Sequence, residues 1–119
     1  MPMATVDRLS SPAAFRSVFS TGRSYAKGTV VVYVAKRTTG SGPPRAGFVV
    51  SRKVGGAVAR NRAKRLLREA LRLEGRHIPD GLDLVVVARP SVAGASYVEV
   101  AGDLRSVLAA AGLDGGDER

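Results

Sequence analysis

The sequence predicts an α+β fold of two layers, ordered helix, strands, helix, strand, helix. Three observations carry that expectation. Three segments place apolar residues at helical spacing, three β-branched runs lie between turn residues, and 119 residues suit one domain spanning 1–119 with a modest core.

Ser11 followed by Pro12 reads as an N-cap with proline at the first helical position. Phe15, Val18 and Phe19 then share one face until Gly22 ends the run. A short strand is expected near Arg23 to Ala26. "TVVVYVAK" (Thr29 to Lys36) and "AGFVVS" (Ala46 to Ser51) follow as antiparallel strands around a loop, "TTGSGPPR", from Thr38 to Arg45.

A helical wheel over Ala59 to Arg72 places Ala59, Ala63, Leu66, Leu67, Ala70 and Leu71 on one arc, toward a core. The opposite arc holds Arg60, Asn61, Lys64, Arg65, Arg68 and Arg72. Gly75 and Pro79 stop this helix, and "LDLVVVA" (Leu82 to Ala88) reads as a buried central strand closed by "RPS". Ser96 with Glu99 three residues on forms a capping-box pattern. Val100, Ala101, Leu104, Val107, Leu108 and Ala111 then recur at helical spacing up to Gly112. Residues 113–119 are polar and acidic and are expected to fray.

The chain has no cysteine, which excludes disulfides and thiolate metal sites, and no apolar run approaches the ~20 residues of a membrane span. Its first residues, "MPMATVDRLSS", lack the basic and apolar regions of a signal peptide, so they read as mature sequence of a soluble, cytoplasmic protein. A formal charge of +9 points to a polyanion. Nucleic acid leads and an anionic membrane surface ranks behind it. Nine basic residues between Arg52 and Arg76 face only Glu69 and Glu74, so most of the charge lies in one segment.

That segment contains "KVGGAVARNRAKR", Lys53 to Arg65. Gly55 and Gly56 allow close approach of backbone to phosphate, and the helix N-terminus behind them adds partial positive charge. A charge run is usually just a solvated helix face. Here Arg60, Lys64, Arg68 and Arg72 form an i, i+4 ladder of like charges, each pair destabilising an isolated helix by a few tenths of a kcal/mol, roughly. An external anion accounts for such a ladder, and arginine suits bidentate contacts with phosphates and base edges. The charge alone leaves RNA and DNA both open.

The letters add to this. "KVGGAVARNRAKRLLREALR" resembles the signature of the bacterial ribonuclease P protein family, with Lys53, Gly55, Ala57, Val58, Arg60, Asn61, Lys64 and Arg65 at the motif positions. "RLSSPAAFRSVFSTGRS" resembles the family's N-terminal helix, and "GFVVSRK" resembles the strand leading into the motif. The resemblance implies the family's fold, with a left-handed βαβ crossover around the basic helix, against the usual handedness. It implies the protein subunit of an endoribonuclease that matures the 5′ end of transfer RNA, paired 1:1 with ribonuclease P RNA. In that family the RNA is the catalyst and requires Mg2+, so no catalytic residue, metal ligand or cofactor is assigned to the polypeptide. Arg52, Lys53, Arg60, Asn61, Arg62, Lys64, Arg65 and Arg68 are implied to bind the RNA subunit. Phe15, Phe19, Tyr33 and Ser51 are implied to bind the leader of precursor tRNA. The chain departs from family habit in having only Arg8 before the first helix and an acidic end.

Other readings compete. Phe15 and Phe19, at i and i+4, suit a core under a sheet as well as a stacking platform. His77, Asp80 and Asp83 in "HIPDGLD" match no zinc spacing, and the intervening proline and glycine favour a turn. A structural RNA binder of the ribosomal-protein kind shares the charge but lacks the aromatic cleft. A DNA-binding protein would be expected to show a dimer or helix-turn-helix pattern, which is not recognisable here.

Overall fold

The computed structural model describes residues 6–37, 40 and 42–114. Along the chain lie β1 (Asp7–Arg8), α1 (Pro12–Thr21), β2 (Arg23–Lys27), β3 (Val30–Lys36), β4 (Arg45–Val50), α2 (Ala57–Glu74), β5 (Leu82–Ala88) and α3 (Tyr97–Ala110). Single 3-10 turns at Arg52–Val54 and Pro90–Gly94 precede α2 and α3.

The helix ends follow local chemistry. Ser11 accepts a hydrogen bond from Ala14 N–H at the start of α1, Pro12 occupies the first turn, and Gly22 N–H closes on Val18 C=O. Ser96 caps α3 by accepting from Glu99 N–H at 3.1 Å. Gly56 caps α2 without a side-chain bond, so the first amides of that helix gain no side-chain partner at the cap.

The five strands form one mixed sheet in the order β1-β4-β5-β3-β2. Here the structure adds to the sequence expectation. β3 and β4 run in opposite directions but do not pair, because β5 lies between them, antiparallel to β3 and parallel to β4. β5 is the run with most to gain from burial on both faces, and Leu84, Val85 and Val86 are fully buried there. The long connection through α2 permits the parallel pairing.

The two-layer expectation is corrected. Even-numbered residues of β3, β4 and β5, such as Val32, Ala46 and Val86, pack with Leu67 and Ala70 of α2 and Val100 and Leu104 of α3. Odd-numbered ones, Tyr33, Val49, Val85 and Val87, pack with Val18 and Phe15 of α1. Strand side chains alternate between faces, so helices on both sides make three layers. Leu113, expected in a frayed tail, is buried and its N–H donates to Leu108 C=O at 2.8 Å. Residues 115–119 of that expected tail lie outside the described residues, as does part of the loop after Arg37.

Two polar contacts set the sheet's ends. Asp83 at the start of β5 is 5% exposed and receives Arg45 Nη2 at 2.6 Å and Arg37 Nε at 3.3 Å, joining the ends of β3, β4 and β5. Burial alone would raise its carboxyl pKa, but the two guanidiniums hold it below the usual range. The hydrogen bond to Asp83 raises Arg45 in turn. At the other end the β2–β3 turn uses Gly28 at φ 51°, and Asp103 of α3 accepts from Thr29 N–H at 2.9 Å and Thr29 Oγ1 at 2.8 Å.

Candidate nucleic-acid interface

α1 covers only part of its sheet face. Phe15 lies over Gly47, and Phe19, 43% exposed, meets Tyr33 edge to face with centroids 4.8 Å apart. Beyond them Val31, Val49 and Val87 remain half-buried, so an apolar groove with aromatic walls stays open beside the helix. Ser51 stands exposed at the end of β4, its Oγ accepting from Lys53 N–H at 3.3 Å, and Arg52 and Lys53 follow it into solvent. The helical face of Phe15, Val18 and Phe19 therefore divides. Val18 is core, at 1% exposure, while the two rings line the groove.

The basic helix presents its stripe away from that groove. Asn61, Arg65, Arg68 and Arg72 are exposed, whereas Ala63, Leu67, Ala70 and Leu71 are buried. Three details add to the wheel. Arg60 sits on the flank, half-buried, with Nε 3.4 Å from Gly56 C=O, and Lys64 is half-buried beside it. Arg62 turns toward α3 and donates from Nη2 to Ala95 C=O at 2.8 Å. Arg72 is paired with Glu69 at 2.6 Å, which relieves one rung of the like-charge ladder and lowers the Glu69 pKa through that bond. Arg52, Lys53, Lys64, Arg65 and Arg68 have no ion-pair partner among the described residues. Uncompensated cations on one helix and its approach are what a polyphosphate chain selects.

The candidate RNA-binding residues thus form an arc from the turn at Arg52–Val54 along α2; of the candidate leader residues, Phe15, Phe19 and Tyr33 lie across the sheet at α1, while Ser51 stands at the end of β4 next to Arg52. β4 connects the two, because Gly47 and Val49 face α1 whereas Ala46 and Phe48 face α2. Sequence reasoning missed the half-buried valines that floor the groove, which read simply as strand. It placed Asp83 both in the "HIPDGLD" turn and in the Leu82–Ala88 strand but gave it no role, although one carboxylate inside an apolar run was the available signal. His77 and Asp80 are exposed on that turn, and no group of three or more His, Asp or Glu among the described residues could hold a metal ion.

A family model described as Ribonuclease P matches residues 3–112. The ribonuclease P protein component of Symbiobacterium thermophilum is 43% identical over 106 residues, covering 89% of this chain and 91% of that one. That of Gluconacetobacter diazotrophicus is 41% identical, covering 92% and 95%. Among solved structures, the Staphylococcus aureus RNase P protein superposes with a TM-score of 0.81 at 30% identity, covering 92% of this chain and 99% of that one. The Thermotoga maritima protein gives 0.74 at 32% identity, covering 86% and 94%.

Proposed function

Because this chain belongs to the bacterial ribonuclease P protein family, as the protein component of the endoribonuclease that processes the 5′ end of tRNA, we propose that its two faces divide two RNAs between them. The exposed arc of α2, with Arg52, Lys53, Arg60, Asn61, Lys64, Arg65 and Arg68, grips the ribonuclease P RNA. The groove of Phe15, Phe19, Tyr33 and Ser51 holds the 5′ leader of precursor tRNA. Arg62 supports the first role from within, by tying α2 to the segment before α3.

The observation that carries this reading is the separation of chemistries: unpaired cations on one side of β4, and a half-open aromatic groove on the other. Cations take phosphates of any folded RNA, while ring faces stack on bases of any sequence, as a variable leader requires. Hydrolysis belongs to the RNA subunit, which carries the Mg2+, and the protein works 1:1 with it in the cytoplasm. Its charge offsets repulsion between two polyanions, a task otherwise left to divalent ions. The reading carries with it a left-handed sense for the β4–α2–β5 connection. The test is cleavage of precursor tRNA by the cognate RNA subunit at low magnesium. Added protein should restore cleavage, and metal-dependent cleavage by RNA-free protein would overturn the assignment.

A further inference from the structure

A groove of about 1140 Å3 runs between α2 and β1 around the outer edge of the sheet, reaching Phe15 and Gly47 on the α1 side. β1 is two residues long and its ladder with β4 ends at Ala46, so β4 from Gly47 onward has no strand on its outer side. The floor is apolar, made by Ala46, Phe48 and Leu71, with the Phe48 ring half-buried. The rim is mainly cationic, with Asp7 and Glu69 as its acids. Arg8 shares the α2 side of the sheet with its pairing partner Ala46, and it lines the groove with Lys64, Arg65 and Arg68. None of these four has an ion-pair partner among the described residues, and the rim's Glu69 is already held by Arg72.

An aromatic floor under converging cations, beside unpaired strand-edge amides, matches a nucleotide part by part: base on the ring, phosphates on the rim, base edge to the backbone. A duplex keeps its base faces stacked inside and cannot fill such a floor. We propose that this groove receives one unpaired nucleotide of the RNA subunit, its base against Phe48 and its flanking phosphates against Arg8 and Arg68. The RNA interface then includes the N-terminal strand as well as α2. This rests on the reading of the α2 stripe, with which the groove is continuous through Lys64, Arg65 and Arg68.

The experiment measures binding of the full chain to its cognate RNA subunit, transcribed in vitro, across a salt series. Arg8→Ala should weaken binding and flatten the salt dependence by about one unit of slope. Phe48→Leu should weaken it roughly 5- to 100-fold at unchanged slope, since a stacked ring is lost and no charge. Should Phe48→Leu unfold the sheet, Ser10→Trp on the exposed rim blocks the groove from outside and should produce the same loss. Lys53→Ala, in the basic motif but outside the groove, is the control. If it loses affinity while the groove variants bind like wild type, the groove is not an RNA subsite and the proposal is overturned. If none of the variants loses affinity, the reading of the basic stripe fails with it.

Discussion

Gly47→Ala probes whether Phe15 is seated as described. A Cβ at Gly47 would stand 2.2 Å from Phe15 Cζ, 2.6 Å from Cε1 and 3.1 Å from Cε2. Ordinary carbon contacts are about 3.5–4.0 Å, so the ring must retreat by roughly 1.3 Å. α1 cannot yield easily, because Val18 is 1% exposed beneath it and both helix ends are capped. Two effects oppose each other. Replacing a strand glycine by alanine gains roughly 0.5–1 kcal/mol of unfolded-state entropy, since Gly47 is not among the positive-φ glycines. Overpacking costs about 1–3 kcal/mol. The clash should win, for a net loss of about 1–2 kcal/mol in urea unfolding. Phe15→Leu removes the colliding ring atoms, so the double variant should be more stable than the two single losses predict, by about 1 kcal/mol or more. Additivity within about 0.5 kcal/mol, or a stabilised Gly47→Ala, would refute the seating.

Three further outcomes follow from named contacts. Asp83→Asn should cost about 3 kcal/mol near neutral pH by stripping the shared partner of Arg37 and Arg45. Because the folded Asp83 pKa is depressed, its contribution is complete above the unfolded value of about 3.9 and fades as pH falls through the lower folded value; the gap to wild type in pH-resolved unfolding should close over that acid range. Asp103→Ala leaves Thr29, 1% exposed, without the acceptor for its N–H and hydroxyl, and thermal unfolding should show a loss of about 2 kcal/mol. Tyr97→Phe should be neutral or slightly stabilising in the same assay, since the buried hydroxyl has no hydrogen-bond partner among the described residues.

What could be read from the sequence was whatever local chemistry decides. Ser11-Pro12 and Gly22 bounded α1, Ser96 opened α3, and the unbroken apolar run from Leu84 to Val87 announced a central strand. Strand β1 left no such mark, because two residues carry no period and Asp7–Arg8 is a strand only through pairing with Arg45 and Ala46, far along the chain. The same holds for strand order, which tertiary packing decides after each run is already a strand. In the candidate site, periodicity placed Arg65 and Arg68 in solvent. It could not foresee that Ala95 C=O would meet Arg62 from 33 residues away, nor that α1 would leave Val49 and Val87 half open.

The central claim is that one small sheet keeps two RNAs on opposite sides, and a paired comparison tests it most directly. Holoenzymes carrying Phe19→Ala or Arg65→Ala are measured for affinity between protein and RNA subunit, and for binding of leader-bearing against mature tRNA, with circular dichroism confirming the fold. Phe19→Ala should lower precursor binding roughly 5- to 100-fold, leaving mature tRNA and subunit assembly unchanged. Arg65→Ala should weaken assembly and its salt dependence, leaving the preference of assembled enzyme for the leader intact. Equal losses of precursor and mature tRNA in Phe19→Ala, or an Arg65→Ala protein that assembles like wild type, would contradict the division.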